Sequence, residues 1–365
     1  MNVTFRTDAS LEIGTGHVMR CLTLAEALRE RGANCRFICR SHPGNLNIQI
    51  VQRGFEVHDL PYDGKWSGAD VASPAYSAWL GAHWKKDAEQ TIIGSGGTAI
   101  DWLIVDHYAI DVRWESALAA HYRKLMVIDD LADRPHVCDL LLDQTYGRQE
   151  SDYRGRVPDA CQILCGSVFA LLRPEFAALR PYSLKRRAQP ALRELLITMG
   201  GIDKENVTGQ VLQALRACRL SADCRITVVM GADAPWLDEV RKQAHDMPWL
   251  TRVLVGVSDM AQLMADSDLA IGAAGATSWE RCCLGLPAIM FVLAENQFKV
   301  AQGLKRSGAV RIIDFAQGVT PQLRDLIVSL VADPAQLSLM SECAAAVVNG
   351  TGSNTVAQQM EVCFE

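Results

Sequence analysis

The chain has 365 residues and a mass of 40.0 kDa, long for one domain, so two are expected at roughly 100–200 residues each. Hydrophobic residues make up 49% and charged residues 21%, the balance of a globular protein, which excludes disordered, collagen-like and mucin-like classes. The net charge of −6 gives no overall basic character, so nucleic acid is not an expected partner.

No segment approaches the ~18 consecutive apolar residues that cross a bilayer, and MNVTFRTDAS lacks the basic and apolar regions of a signal peptide. The expectation is a cytoplasmic protein with no stable membrane insertion. Its 12 cysteines should then be mostly reduced. Cys35 and Cys39 have three residues between them, as do Cys161 and Cys165, and Cys282 and Cys283 are adjacent. With no CxxC anywhere, neither a zinc ribbon nor a dithiol motif is indicated.

In chain order, Val3–Asp8 reads as a strand, broken by Gly14 and Gly16. Apolar residues then recur at helical spacing from His17 to Arg31, Gly32 stops that helix, and Cys35–Cys39 is the next strand. This is one βαβ unit. Phe55–Leu60, Trp102–Asp106, Leu125–Asp129 and Leu140–Leu142 read as further strands, with a helix over Val112–His121 and a less regular one around Ser77–Ile92. At Arg180 the run RPYSLKRRAQPALRE carries basic residues and two prolines without apolar periodicity, the character of a linker. The expected domains are therefore 1–180 and 190–365. Beyond the linker the alternation restarts: strands at Leu195–Thr198, Ile226–Met230, Val253–Val255, Leu269–Ile271, Ala288–Val292 and Val310–Ile313, separated by helices, with a helical C-terminus interrupted at Asn349–Gly352. Strands alternating with helices imply two parallel α/β sheets. Ligands of such sheets bind beyond the carboxyl ends of the strands, so two lobes facing each other define one cleft.

Four turns after strands are candidates to line that cleft. Gly14-Thr15-Gly16-His17 opens a helix, where glycines admit a ligand to the backbone and free N–H groups favour anions. A dinucleotide fingerprint fails there, because Met19 stands where the third glycine belongs and Cys39-Arg40 replaces the acidic residue of the second strand. His17 in the first helical turn is either a base kept neutral by the helix dipole or a plain helix cap. Gly272 to Glu280 clears space for phosphate against Gly275, Ala276, Thr277 and Ser278. Glu280 there either accepts hydrogen bonds from ribose hydroxyls or compensates the helix dipole. Gly200 and Gly201 either line the phosphate or form only a tight turn. Asp106-His107-Tyr108 ends a buried strand with polar side chains directed at the cleft, where Tyr108 either faces the ligand or packs between the lobes.

RTDASLEIGTGHVMRCLTLAEAL (Arg6–Leu28), VDHY (105–108), IDDLADR (128–134), MGG (199–201), GAAGATSWE (272–280), GLP (285–287) and ENQ (295–297) follow one another in this order. In these motifs the chain resembles the UDP-sugar hydrolases of pseudaminic acid biosynthesis, a nonulosonic acid route. Their substrate is UDP-2,4-diacetamido-2,4,6-trideoxy-β-L-altropyranose. The later glycine motif is shared with MurG-like glycosyltransferases. The resemblance implies a GT-B fold, two Rossmann-like parallel-sheet domains facing across a cleft, with UDP held mainly by the second. It also implies that His17 is the catalytic histidine, Tyr108 an active-site tyrosine and Asn296 a substrate-contacting residue, with Gln297 beside it.

A sugar nucleotide is already activated, so no cofactor and no metal are expected. The eight histidines show no HxH or HxxxH pairing. His17 is assigned to activate water at C1, with Asp8 a candidate to support the loop or orient the ring. An inverting glycosyltransferase and a non-catalytic sugar-nucleotide sensor are the alternative readings. The sequence does not fix the oligomeric state.

Overall fold

The computed structural model describes residues 1–66 and 75–364. It divides into two units, Met1–Leu171 with Thr351–Glu365, and Leu172–Gly350.

The first unit holds seven parallel strands: β1 (Asn2–Thr7), β2 (Asn34–Arg40), β3 (Glu56–Leu60), β4 (Ile100–Asp106), β5 (Tyr122–Ile128), β6 (Leu140–Asp143) and β7 (Gln162–Cys165), in the order β3-β2-β1-β4-β5-β6-β7. The chain runs outward one way from β1 and then the other way from β4, so the topological switch lies between β1 and β4. The period-two alternation of the strands sorts their side chains. Val3, Phe5, Trp102 and Ile104 join the core under the helix Gly16–Glu30, while Leu103 and Val105 join Leu80, Ala88 and Trp114 on the other face. The second unit repeats the plan with β8 (Glu194–Thr198), β9 (Arg225–Met230), β10 (Leu250–Val255), β11 (Leu269–Ala273), β12 (Ala288–Phe291) and β13 (Val310–Ile313), all parallel in the order β10-β9-β8-β11-β12-β13.

Three expectations need correction. The first half of the stretch read as a linker, 180–187, belongs to a helix, Pro174–Arg187, with Pro174 in its first turn and Pro181 inside. Its inward positions lack apolar periodicity because they hold Arg180, Ser183 and Arg187 beside Phe176. The Arg180 guanidinium donates to the carbonyls of Cys283, Ala345 and Val348, and Arg187 donates to those of Met264, Ala265 and Ser267. Ser183 Oγ donates to Leu284 O at 2.7 Å. These side chains satisfy carbonyls left unpaired where the helices Met260–Asp266, Thr277–Cys283 and Ala335–Val347 end.

The second correction concerns the domain boundary at the C-terminus. The last helix, Gly352–Phe364, belongs to the first unit. Val356, Ala357 and Met360 are buried with Leu24, Leu28 and Phe37, and Gln359 accepts a hydrogen bond from Gln162 at 2.8 Å. Gly352 starts it because a Cβ there would strike the Ala170 carbonyl and the Phe169 backbone.

Third, the helix expected over 77–92 is a 3₁₀ turn, Ser77–Leu80, and a separate helix, Trp84–Gly94, broken at Gly81. Part of the stretch 61–97, residues 67–74, lies outside the described residues. A strand not anticipated, β7, closes one edge of the first sheet. Among the described residues no single helix is long and apolar enough to cross a membrane.

Candidate active site

In the first unit the carboxyl end of β4 and the N-terminal turn of the helix Gly16–Glu30 build one constellation. Gly14, at φ +79, returns its N–H to Ser10 O at 2.8 Å and folds the loop so that Gly16 begins the helix. His17, Arg20 and Cys21 then share one helix face at i, i+3 and i+4. Asp106 ends β4 on the same sheet face as Trp102 and Ile104, the face that this helix covers.

The Asp106 carboxylate is fully buried and takes three short contacts. His17 Nδ1 lies 2.6 Å from Oδ1, Arg20 Nε donates to Oδ2 at 2.6 Å, and Arg20 Nη2 donates to Oδ1 at 2.7 Å. Burial alone would raise its pKa; the Arg20 charge and then the His17 ring overcome this and hold it well below the carboxylate range. An ionised carboxylate only accepts, so His17 Nδ1 carries a hydrogen, and in the neutral ring the lone pair is therefore on Nε2. The ring is oriented as a base.

Arg20 extends the arrangement, donating through Nη1 to Asp130 Oδ2 at 2.6 Å, where the Tyr108 hydroxyl also donates at 3.0 Å. Burial, and next the Asp130 charge, push the Tyr108 phenol well up, so it stays protonated as that donor. The Tyr108 and His17 rings meet edge to face, 4.5 Å between centroids.

Asp8 is not the orienting group. Alternation along β1 turns it, with Arg6, to the sheet face opposite the helix Gly16–Glu30. There Arg6 Nη1 donates to its Oδ1 at 2.7 Å and the Arg40 backbone N–H donates at 2.6 Å. Its Oδ2 faces His107 Nε2 at 3.3 Å and His42 Nε2 at 3.7 Å. Burial would raise the Asp8 pKa, but Arg6 and then the two histidines hold it well below the ordinary value. Arg6 and Arg40 also share Asp87, at 2.6 and 2.7 Å, in a buried quartet of charges that ties β1 and β2 to the helix Trp84–Gly94. Asp8 anchors the carboxyl ends of β1 and β2 to each other.

Sequence reading placed Asp106 among the residues directed at the cleft but gave it no chemical role, and it gave none to Arg20 or Asp130. The signals present were the i, i+3 spacing of His17 and Arg20 and the aspartate closing WLIVD.

In the second unit the loop after β11 leads into the helix Thr277–Cys283. Gly275 and Thr277 are half-buried and Ala276 is exposed. Ser278 is turned inward instead: it is fully buried, its Oγ accepts from Arg281 Nη2 at 3.2 Å, and its N–H donates to Gly275 O at 2.9 Å. The buried Arg281 also donates to Ala273 O at 2.6 Å. A Cβ at Gly272 would lie 2.5 Å from Arg281 Nη1 and from Thr198 O, so this glycine makes room for the guanidinium. Burial lowers Arg281 to about 10.

Glu280 lies 3.7 Å from Arg173 Nη2. Desolvation pushes its carboxyl up to about 7, outweighing the attraction of Arg173 and Arg281. Gly200, at φ +92, and Gly201 are exposed beyond β8. Gln297 accepts from Leu293 N–H at 2.9 Å, fixing the turn Glu295–Gln297. The side chain of Asn296, in the same turn, lies outside the described set.

Each sheet has the strand order of a dinucleotide-binding α/β fold, and the whole chain matches one solved architecture. The structure of MurG from Acinetobacter baumannii superposes with a TM-score of 0.72 at 16% identity, covering 99% of both chains. The fold is GT-B. Residues 195–360 match the glycosyltransferase family 28 C-terminal domain. UDP-2,4-diacetamido-2,4,6-trideoxy-β-L-altropyranose hydrolase of Campylobacter jejuni is 28% identical over 313 residues, 84% of this chain and 97% of that protein. The resemblance read from the motifs therefore extends over most of the chain. UDP-N-acetylglucosamine–N-acetylmuramyl-(pentapeptide) pyrophosphoryl-undecaprenol N-acetylglucosamine transferase of Bacteroides thetaiotaomicron is 27% identical over 373 residues, 94% of each chain. Both relatives are enzymes whose names specify a UDP-sugar.

Proposed function

We propose that the protein is a UDP-sugar hydrolase acting on UDP-2,4-diacetamido-2,4,6-trideoxy-β-L-altropyranose or a close stereoisomer, releasing UDP and the free sugar. The observation that carries this reading is the 2.6 Å contact of His17 Nδ1 with a buried, ionised Asp106, which leaves Nε2 as a proton acceptor. The likeness to the Campylobacter hydrolase supports the substrate class.

In this reading, His17 Nε2 takes a proton from water as the water oxygen bonds to C1. The bond from C1 to the β-phosphate oxygen breaks with inversion, and UDP leaves carrying the electron pair. Asp106 stabilises the imidazolium that forms, and Arg20 fixes Asp106. The loop at Gly275–Thr277, with Gly200 and Gly201, is assigned to the diphosphate, and Glu280 to the ribose hydroxyls. Bound hydroxyl donors would draw the Glu280 carboxyl toward its ionised form.

An inverting glycosyltransferase is the second reading, favoured by the identity to the Bacteroides enzyme along 94% of each chain. Incubation with UDP-diacetamido sugars and no acceptor separates the two. Steady UDP release is expected; release that waits for an added acceptor hydroxyl would replace the hydrolase reading with the transferase.

A further inference from the structure

The described residues 75–81, between β3 and β4, have no role in the proposed chemistry, yet they deliver two aromatic rings to Tyr108, the neighbour of the candidate base. Residues three apart eclipse in a 3₁₀ turn, so Tyr76 and Trp79 fall on one side of Ser77–Leu80, their ring centroids 4.6 Å apart. Leu80, on the other side, is buried with Leu103, Val105 and Trp114 and holds the turn to the core. Gly81 fixes its end: at φ +67 a Cβ would come within 2.6 Å of His42 and 2.8 Å of Arg40. Trp66 Nε1 adds a hydrogen bond to Ser77 O at 3.3 Å.

The pair leans on Tyr108. The Tyr76 ring lies 5.4 Å from it, and the Trp79 ring lies 5.9 Å away and nearly parallel, at 22°. Tyr108 in turn meets His17 at 4.5 Å. Tyr76 and Trp79 are both half-buried, so each keeps part of its surface in contact with water, with Tyr108 between it and the base. A core has no use for rings left in this position, whereas the C–H face of a bound sugar does.

We propose that Tyr76 and Trp79 form the wall that selects the sugar. They favour a UDP-linked hexose bearing methyl groups, at C6 as a 6-deoxy sugar or in acetamido substituents, over a fully hydroxylated hexose. This rests on the hydrolase reading and specifies its substrate class. A methyl group against the rings removes apolar surface from water, while a hydroxyl there loses its water partners and gains none. Apolar surfaces discriminate added hydroxyls by only about 10²-fold or less, which sets the scale expected here.

The test compares wild type with Trp79→Leu, which keeps apolar volume but loses the flat face, and with Trp79→Phe, which keeps a ring. UDP release is followed from a UDP-2,4-diacetamido-2,4,6-trideoxyhexose, UDP-N-acetylglucosamine and UDP-glucose, and UDP affinity is measured by calorimetry. Trp79→Leu is expected to raise KM for the diacetamido substrate about tenfold, equivalent to about 1.4 kcal/mol. It should also shrink the preference over UDP-glucose and leave UDP affinity within about twofold. Trp79→Phe should recover most of the loss. A folded Trp79→Leu variant with unchanged KM, or with UDP affinity falling in parallel, would overturn the inference. Should that variant fail to fold, Tyr76→Leu carries the same expectation and the same refutation. If wild type turns over and the variants are indifferent, the inference falls alone. If wild type releases UDP from none of the three, the hydrolase reading falls and takes the inference with it.

Discussion

Replacing Asp106 by asparagine removes one charge without changing shape, and the hydrogen-bond geometry decides the effect on His17. Arg20 donates to both carboxylate oxygens, at 2.6 and 2.7 Å, and His17 shares Oδ1 at 2.6 Å. An amide has one acceptor atom. Either orientation sets the NH₂ group against an Arg20 N–H, donor against donor, at a cost of about 1–3 kcal/mol for a buried unsatisfied group. With the oxygen opposite Arg20 Nε, the NH₂ group also donates to His17 Nδ1, so the ring carries its proton on Nε2 and no longer accepts one from water. With the amide flipped, His17 keeps its tautomer but loses the negative charge that stabilises the imidazolium. Both orientations weaken the base. Losing a general base lowers turnover by on the order of 10²–10⁴. The Asp106→Asn variant should therefore release UDP on the order of 10²–10⁴ times more slowly, with calorimetric UDP affinity unchanged, since no UDP contact is assigned to Asp106. Arg20 retains Asp130 at 2.6 Å, so the fold should survive. A folded Asp106→Asn protein turning over within about tenfold of wild type would refute the assignment of His17 as an Asp106-oriented base.

The same geometry sets other expected outcomes. His17→Asn should keep UDP affinity within a few-fold while losing on the order of 10²–10⁴ in kcat, and Glu280→Ala should weaken UDP with a smaller effect on kcat; equal loss of UDP binding in both would contradict the division of roles. Hydrolysis in ¹⁸O-labelled water should leave UDP unlabelled, since attack is at C1, and label in UDP would mean attack at phosphorus. Asp8 contributes stability that is complete above the ordinary aspartate pKa, about 4, and fades as pH falls toward its depressed folded value. Asp8→Asn should therefore unfold more easily in denaturant at pH 7 by about 3–5 kcal/mol, the usual cost of breaking a buried ion pair. The deficit should narrow as pH drops below about 4; a constant deficit across pH would mean that Asp8 contributes by shape rather than charge.

Alternating apolar and helical periods determined most of the architecture from the sequence alone. Every strand in the sequence reading corresponds to an observed strand, because buried parallel strands are continuous apolar runs and their helices carry one apolar stripe. The glycine turns after β1, β8 and β11 were legible for a related reason: only glycine tolerates Gly14 at φ +79 or leaves room for Arg281 at Gly272. His17 was legible as a site residue from its place at a helix start.

Its partner was not. Asp8 and Asp106 both stand at the carboxyl ends of central strands, and sequence gives no reason to prefer one over the other. The choice depends on which sheet face the helix Gly16–Glu30 covers, and that face carries Asp106, 89 residues away. The helix Pro174–Arg187 was hidden for a comparable reason. Its inward side chains are arginines and a serine, whose partners are carbonyls at the ends of helices 77 to 168 residues away. Periodicity reports only burial that is apolar. Polar burial is stabilised by a partner brought in from elsewhere, and only the tertiary structure decides which partner that is.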